Sequence, residues 1–90
     1  MRIWKWTLPI ADEQKLYIPK GAKILSVQTQ NNLGCLWALC DETAEKEYRT
    51  LCVYGMGYAV SDNPGNYLGT FQLYGGNLVF HVFEKLTTGS

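Results

Sequence analysis

A protein nucleophile works only when a base lies within hydrogen-bond reach, and the sequence offers one histidine, His81, and three cysteines, Cys35, Cys40 and Cys52, from which to build such a pair. His81 sits inside Leu78-Val79-Phe80-His81-Val82-Phe83, where an imidazole is ordinarily a satisfied structural residue. The cysteines lack zinc spacing and lie far from the histidine in sequence, so neither a metal site nor a cofactor is expected. Cys35 and Cys40 are five apart, point to opposite faces of one strand and cannot bridge; all three thiols read as small buried residues. Asp41-Glu42 and Glu45-Lys46-Glu47 place carboxylates side by side, but as a solvated run without acid–base context. Gly55-Met56-Gly57 lacks the third glycine and following helix of a phosphate-binding fingerprint and reads as a bend. No catalytic residue is assigned.

Binding chemistry is better represented. On two hairpins, the face opposite the expected core carries Ser26, Gln28, Gln30, Trp37 and Leu39, and then Leu68, Thr70, Gln72, Val79, His81 and Phe83. Apolar side chains mixed with amides, a hydroxyl and an imidazole suit a protein interface or a small-molecule pocket. A planar heterocycle is the natural ligand, because Trp37, Tyr48 and Tyr54 can stack on it while Gln28, Gln30 and Gln72 read its edge. Arg49 can hold a phosphate through its fork of donors. The candidate ligand-binding residues are therefore Gln28, Gln30, Trp37, Arg49, Tyr54, Thr70, Gln72 and His81. The plainer readings are Trp37 as core, Arg49 as an ordinary surface strand residue, and both faces covered by the chain's own Trp4, Trp6 and Tyr17 in a closed barrel.

The elements that must carry these residues are strands. Arg2 to Leu8 alternates with Trp4, Trp6 and Leu8 on one face, and Pro9 ends it. A polar connection, Ala11 to Gln14, leads to a short strand from Lys15 to Ile18, stopped by Pro19 and a turn at Lys20-Gly21. Ile24 to Gln30 should turn Leu25, Val27 and Thr29 to the core. Asn31-Asn32-Leu33-Gly34 carries hairpin chemistry; with Asn32-Leu33 as the loop, Val27 faces Ala38, Leu25 faces Cys40 and Gln28 faces Trp37, and a loop longer by one residue changes these partners. Asp41 to Glu47 is a charged loop, Tyr48 to Tyr54 a strand. Tyr67 to Leu73 and Asn77 to Phe83 form a hairpin in which a Gly75-Gly76 loop sets Phe71 opposite Phe80 and Thr70 opposite His81. The sum is an all-β single domain over residues 1–86, a small sandwich or partly open barrel of about seven short, mostly antiparallel strands, with a flexible tail at 87–90.

Eight acidic and eight basic residues balance, and no Lys/Arg cluster exists, so the electrostatic footprint for nucleic-acid duplexes is missing. No run suits a signal peptide or a bilayer span, so a cytoplasmic protein without a membrane partner is expected. At 90 residues the monomer has little stability margin, which favours self-association.

Ile24-Leu25-Ser26-Val27-Gln28-Thr29-Gln30, Cys35-Leu36-Trp37-Ala38-Leu39, Gly69-Thr70-Phe71-Gln72 and Leu78-Val79-Phe80-His81-Val82-Phe83-Glu84 together resemble a family of short phage and prophage proteins of unassigned function. The likeness also takes in an opening Trp-Lys-Trp-Thr-Leu strand and a Pro-x-Gly-Ala turn, and runs from about Ile3 to Glu84. Cys40 and Cys52 stand where that family would have ordinary apolar residues. The resemblance implies a phage accessory protein acting in the host bacterial cytoplasm. By analogy with other small phage proteins it suggests an anti-defence sponge, a homo-oligomer that sequesters a nucleotide second messenger such as a cyclic oligonucleotide or a cyclic ADP-ribose derivative. The rival expectation is a structural or protein-interaction role, as a minor virion component or a host-protein inhibitor. A third is an enzyme that cleaves such a signal with His81 as base.

Overall fold

The computed structural model describes residues 1–85, so the expected tail at 87–90 lies outside the described residues. Seven strands follow one another: β1 (Arg2–Leu8), β2 (Glu13–Pro19), β3 (Lys23–Gln30), β4 (Leu33–Cys40), β5 (Lys46–Gly55), β6 (Asn66–Leu73) and β7 (Leu78–Glu84). They form two antiparallel sheets, one of order β1-β4-β3 and one of order β2-β5-β7-β6. The expected all-β class is what the chain adopts, as two stacked sheets rather than a closed barrel. Their Cα atoms span 39 × 33 × 16 Å, and the thin dimension is that of two layers packed about 10 Å apart.

Alternation decides what goes inside. Leu8, Leu16, Ile18, Val27, Leu36, Ala38, Leu51, Val53, Phe71, Leu73, Phe80 and Val82 form one buried cluster between the sheets, with Trp4 and Trp6 packed against it but only partly buried. Cys40 belongs to that cluster, whereas Cys35 and Cys52 are buried on the opposite faces of their strands; all three thiols are free, as expected of small buried residues. Burial, with Glu42 nearby, raises the Cys40 thiol pKa and makes it a poor nucleophile. Phe71 and Phe80 stack at 5.4 Å between ring centroids, on the hairpin register expected from Gly75-Gly76. That connection is longer than two residues, a short 3₁₀ turn over Tyr74–Gly76, but it is centred on the same glycines.

The first hairpin corrects the sequence reading. Its loop is Asn31-Asn32, both at positive φ (53° and 58°), the pairing that a two-residue type I′ turn demands. Val27 therefore faces Leu36 rather than Ala38, and Gln28 faces Cys35 rather than Trp37, whose partner is Ser26. A β-bulge between Ile24 and Ser26 then leaves Leu25 without a partner and turns it outward, 45% exposed. A second bulge, between Tyr67 and Gly69, does the reverse: Leu68, expected outside, packs against the core. Thr29, expected in the core, is exposed.

Thr29 instead joins the sheets. The facing edges of β3 and β6 share no backbone ladder, yet the Thr29 hydroxyl donates to the Gln72 carbonyl and accepts from the Gln72 N–H at 3.2 Å. Asn32 Oδ1 accepts from the Tyr74 N–H at 2.7 Å further along the same seam. Two glycines permit the approach, for a Cβ at Gly69 would lie 2.9 Å from Val27 Cβ, and one at Gly34 would lie 2.6 Å from the Phe71 ring. Gly34→Ala should therefore force Phe71 off its stacked position and destabilise the domain by about 1–3 kcal/mol in urea unfolding, whereas Gly21→Ala, which meets no neighbour but is strained by its positive φ, should cost only about 1 kcal/mol.

Candidate functional site

The outer face of the second sheet is built by β5, β7 and β6, whose alternation aims Tyr54, His81, Phe83, Thr70 and Gln72 away from the core. Thr70 pairs with His81, and Tyr54 with His81 on its other side, which places a hydroxyl, an imidazole and a phenol in one row. The bulge before Gly69 adds Tyr67 to this face opposite Phe83, at 5.4 Å between ring centroids, and Tyr54 meets Phe83 edge-on at 5.8 Å. Tyr67 was not among the expected site residues. The interior Gly69 is the sequence signal that could have revealed it, since a glycine within a strand often marks a bulge.

Hydrogen bonds fix the row. The Tyr67 hydroxyl bonds to Thr70 Oγ1, which in turn lies 2.9 Å from His81 Nδ1. With each hydroxyl donating onward, His81 takes the tautomer that presents Nε2–H as a donor; with the chain reversed, Nδ1–H donates and Nε2 becomes the acceptor. Either way Nδ1 is held and Nε2 is the nitrogen left for a ligand. Burial, then the neighbouring Cys52 thiol, raise the Tyr54 phenol above its ordinary pKa, so it remains a neutral hydroxyl.

This face continues across the seam. Gln28 and Thr29 of β3 and Thr70 and Gln72 of β6 line one shallow groove of about 500 Å³, together with Val27 and Phe71. Residues more than 40 positions apart are thereby brought to one surface. Five of the expected residues, Gln28, Tyr54, Thr70, Gln72 and His81, thus belong to the groove or the row beside it.

The other three do not. Gln30 and Trp37 lie on the outer face of the first sheet, where Gln30 Oε1 accepts from Lys5 Nζ at 2.5 Å and Trp37 lines a neighbouring concavity of about 340 Å³ with Ile3, Leu25 and Ser26, bordered by Gln28, which it shares with the groove. Trp37 therefore does not stack with Tyr48, which instead packs on Tyr17 at 4.7 Å. Arg49, the expected phosphate clamp, points the opposite way, toward the interior. Its Nε and Nη2 donate to the two Glu84 carboxylate oxygens at 2.5 and 2.6 Å, and Nη1 donates to the Ala22 carbonyl at 2.7 Å. The guanidinium is spent on this bidentate pair, and Glu84 holds its pKa above the ordinary value. Nor are the two faces sealed by Trp4, Trp6 or Tyr17, since Trp4 and Trp6 pack inward against the core and Tyr17 lies beside Tyr48.

Among the described residues no group of three or more His, Cys, Asp or Glu could hold a metal ion, and no helix is long and apolar enough to cross a membrane. A family model described as a domain of unknown function, DUF7352, matches residues 1–89. The chain belongs to the DUF7352 family. No curated protein and no solved structure matches it. What this DUF7352 domain offers a ligand is therefore read from its own surface: aromatic rims, an anchored imidazole and four amide or hydroxyl groups along a groove.

Removing the charge from the Arg49–Glu84 pair tests its placement. Arg49→Met should leave a partly buried carboxylate without its partner and destabilise the domain by about 2–4 kcal/mol, whereas Glu84→Gln, which keeps an acceptor for the guanidinium, should cost less. Urea unfolding followed by tryptophan fluorescence reads both.

Proposed function

We propose that this DUF7352 domain is a non-enzymatic binding protein that associates with copies of itself and captures a planar, nucleotide-derived signal on the outer face of its second sheet. The single observation that carries the reading is the convergence of Gln28, Thr70 and Gln72 on one groove, beside a histidine whose ring is already anchored. Amides and a hydroxyl can read the polar edge of a base, and Tyr54, Tyr67 and Phe83 supply aromatic surface next to it. Preorganisation matters here, because a site fixed before binding loses less entropy on capture. With Arg49 committed to Glu84, recognition falls on the base and sugar rather than on a phosphate clamp. The resemblance to short phage proteins supplies the setting, in which the captured molecule is a host immune second messenger and the protein acts as a sponge.

A rival reading rests on a different surface. Ile3, Leu25 and Trp37 make the outer face of the first sheet the more apolar of the two, which suits a protein partner better than a nucleotide.

Thermal unfolding against a panel of cyclic dinucleotides and cyclic ADP-ribose isomers separates the two. A bound ligand at about 100 times its dissociation constant adds about 2.7 kcal/mol and should raise Tm by on the order of 10 °C. Gln72→Ala and His81→Ala should abolish the rise while leaving the Tm of the free protein within a few degrees. A panel without any shift would contradict the nucleotide reading. Ligand recovered intact from the denatured complex supports sequestration, and a cleaved product would instead support an enzyme using His81.

A further inference from the structure

Of the four sheet edges, those of β3 and β6 cover each other, which leaves β1 and β2 as the edges with no strand against them among the described residues. They border the same side of the sandwich, because only Pro9 to Asp12 separates them. It is also the side where the core is unfinished: Trp4 and Trp6 aim inward from β1 but are only partly buried, and the Trp4 ring is capped by Lys46 Nζ at 5.8 Å rather than by apolar atoms. A seven-residue edge strand without proline or bulge is a template for another strand, and proteins usually guard such an edge with charge. Here the guards are engaged elsewhere. Arg2 and the α-amino group both face Glu42, at 3.8 and 3.6 Å, and Lys5 donates across the outer face to Gln30.

We infer that β1 is the self-association edge, pairing antiparallel with β1 of a second copy across a twofold axis centred on Trp4. This inference rests on the self-association part of the proposed function and does not touch the ligand face.

The register follows from three constraints. Twofold antiparallel pairing must set inward residues opposite inward ones, so the paired residue numbers have an even sum. A sum of ten would place Lys5 against Lys5 of the other copy, which like-charge repulsion disfavours. A sum of twelve would overlap Thr7 and Leu8 beside the crossover to β2. A sum of six would pair only Met1 to Lys5 and leave Trp6 without an opposite residue, so a sum of eight remains, with Trp4 against Trp4, Arg2 against Trp6, and Ile3 against Lys5 of the second copy. Each copy then covers the tryptophans that the other leaves partly open.

The pairing of Ile3 with Lys5 provides a test that the opposite signs of two substitutions decide. Ile3 is 60% exposed in the protomer, so Ile3→Glu and Ile3→Lys should both fold with nearly unchanged far-ultraviolet circular dichroism. Sedimentation equilibrium at low salt should show a wild-type dimer with a dissociation constant on the order of micromolar, as an interface of this small size gives. Ile3→Glu, set opposite Lys5, should tighten it roughly three- to tenfold, and Ile3→Lys should loosen it by a similar factor. Loosening by both would mean that the outer face rather than the edge is the interface, and would overturn the inference. So would indifference to both, or a wild-type monomer at about 200 micromolar. The ligand-induced rise in Tm with the same nucleotide panel should be equal in both variants, so failure of the edge and failure of the ligand site give separate results.

Discussion

The structure depends on a close approach without a ladder. Where β3 and β6 meet, the backbones come near enough that Gly69 has no room for a side chain beside Val27, yet the linkage is made by the Thr29 hydroxyl, which satisfies both the carbonyl and the N–H of Gln72. Edge strands ordinarily present unpaired donors and acceptors that must go to water or to another strand. Here one hydroxyl supplies an acceptor and a donor in place of the missing strand pair. Because the joint is made by side chains, no ladder runs from one sheet into the other, and among the described residues the sandwich closes along one side only.

Both candidate surfaces descend from that asymmetry. On the closed side, the outer faces of the two sheets run into each other, and Gln28 comes to share a groove with Thr70 and Gln72. On the other side, β1 and β2 are left without a neighbouring strand among the described residues, and Trp4 and Trp6 are only partly covered. Electrostatics divides the labour similarly. The bidentate Arg49–Glu84 pair, only partly exposed, closes one end of the interior and also ties Ala22 of the β2–β3 connection to β5. The candidate face carries instead neutral donors and acceptors, with a phenol whose pKa burial raises and an imidazole fixed at one nitrogen.

Most of the architecture was legible in the sequence, and the exceptions have local physical causes. Strand periodicity marked β1 at its observed bounds, and the glycine pair fixed the register of β6 against β7 even though the turn is longer than two residues. The hairpin at Asn31-Asn32 was one residue off because asparagine and glycine both tolerate positive φ, and composition alone cannot say which two of four residues adopt it. Leu25 and Leu68 exchanged faces through bulges. Gly69 announces the second bulge, whereas nothing in Lys23-Ile24-Leu25-Ser26 announces the first. Arg49 misled as a phosphate clamp for a different reason: its partner Glu84 is 35 residues away and meets it only when β5 pairs with β7. The groove itself could not be foreseen, since it exists only where two strands of different sheets touch.

Amide hydrogen exchange on Thr29→Val tests the seam most directly, because the substitution keeps the shape and deletes the hydroxyl that joins β3 to Gln72. The account predicts that the Gln72 N–H, protected in the wild type, exchanges at least tenfold faster, that contacts between Val27 and Gly69 weaken, and that the β6–β7 and β3–β4 ladders stay protected. Unchanged protection at Gln72 with the Val27–Gly69 contact intact would contradict it, and would mean that the Thr29 hydroxyl does not hold the seam.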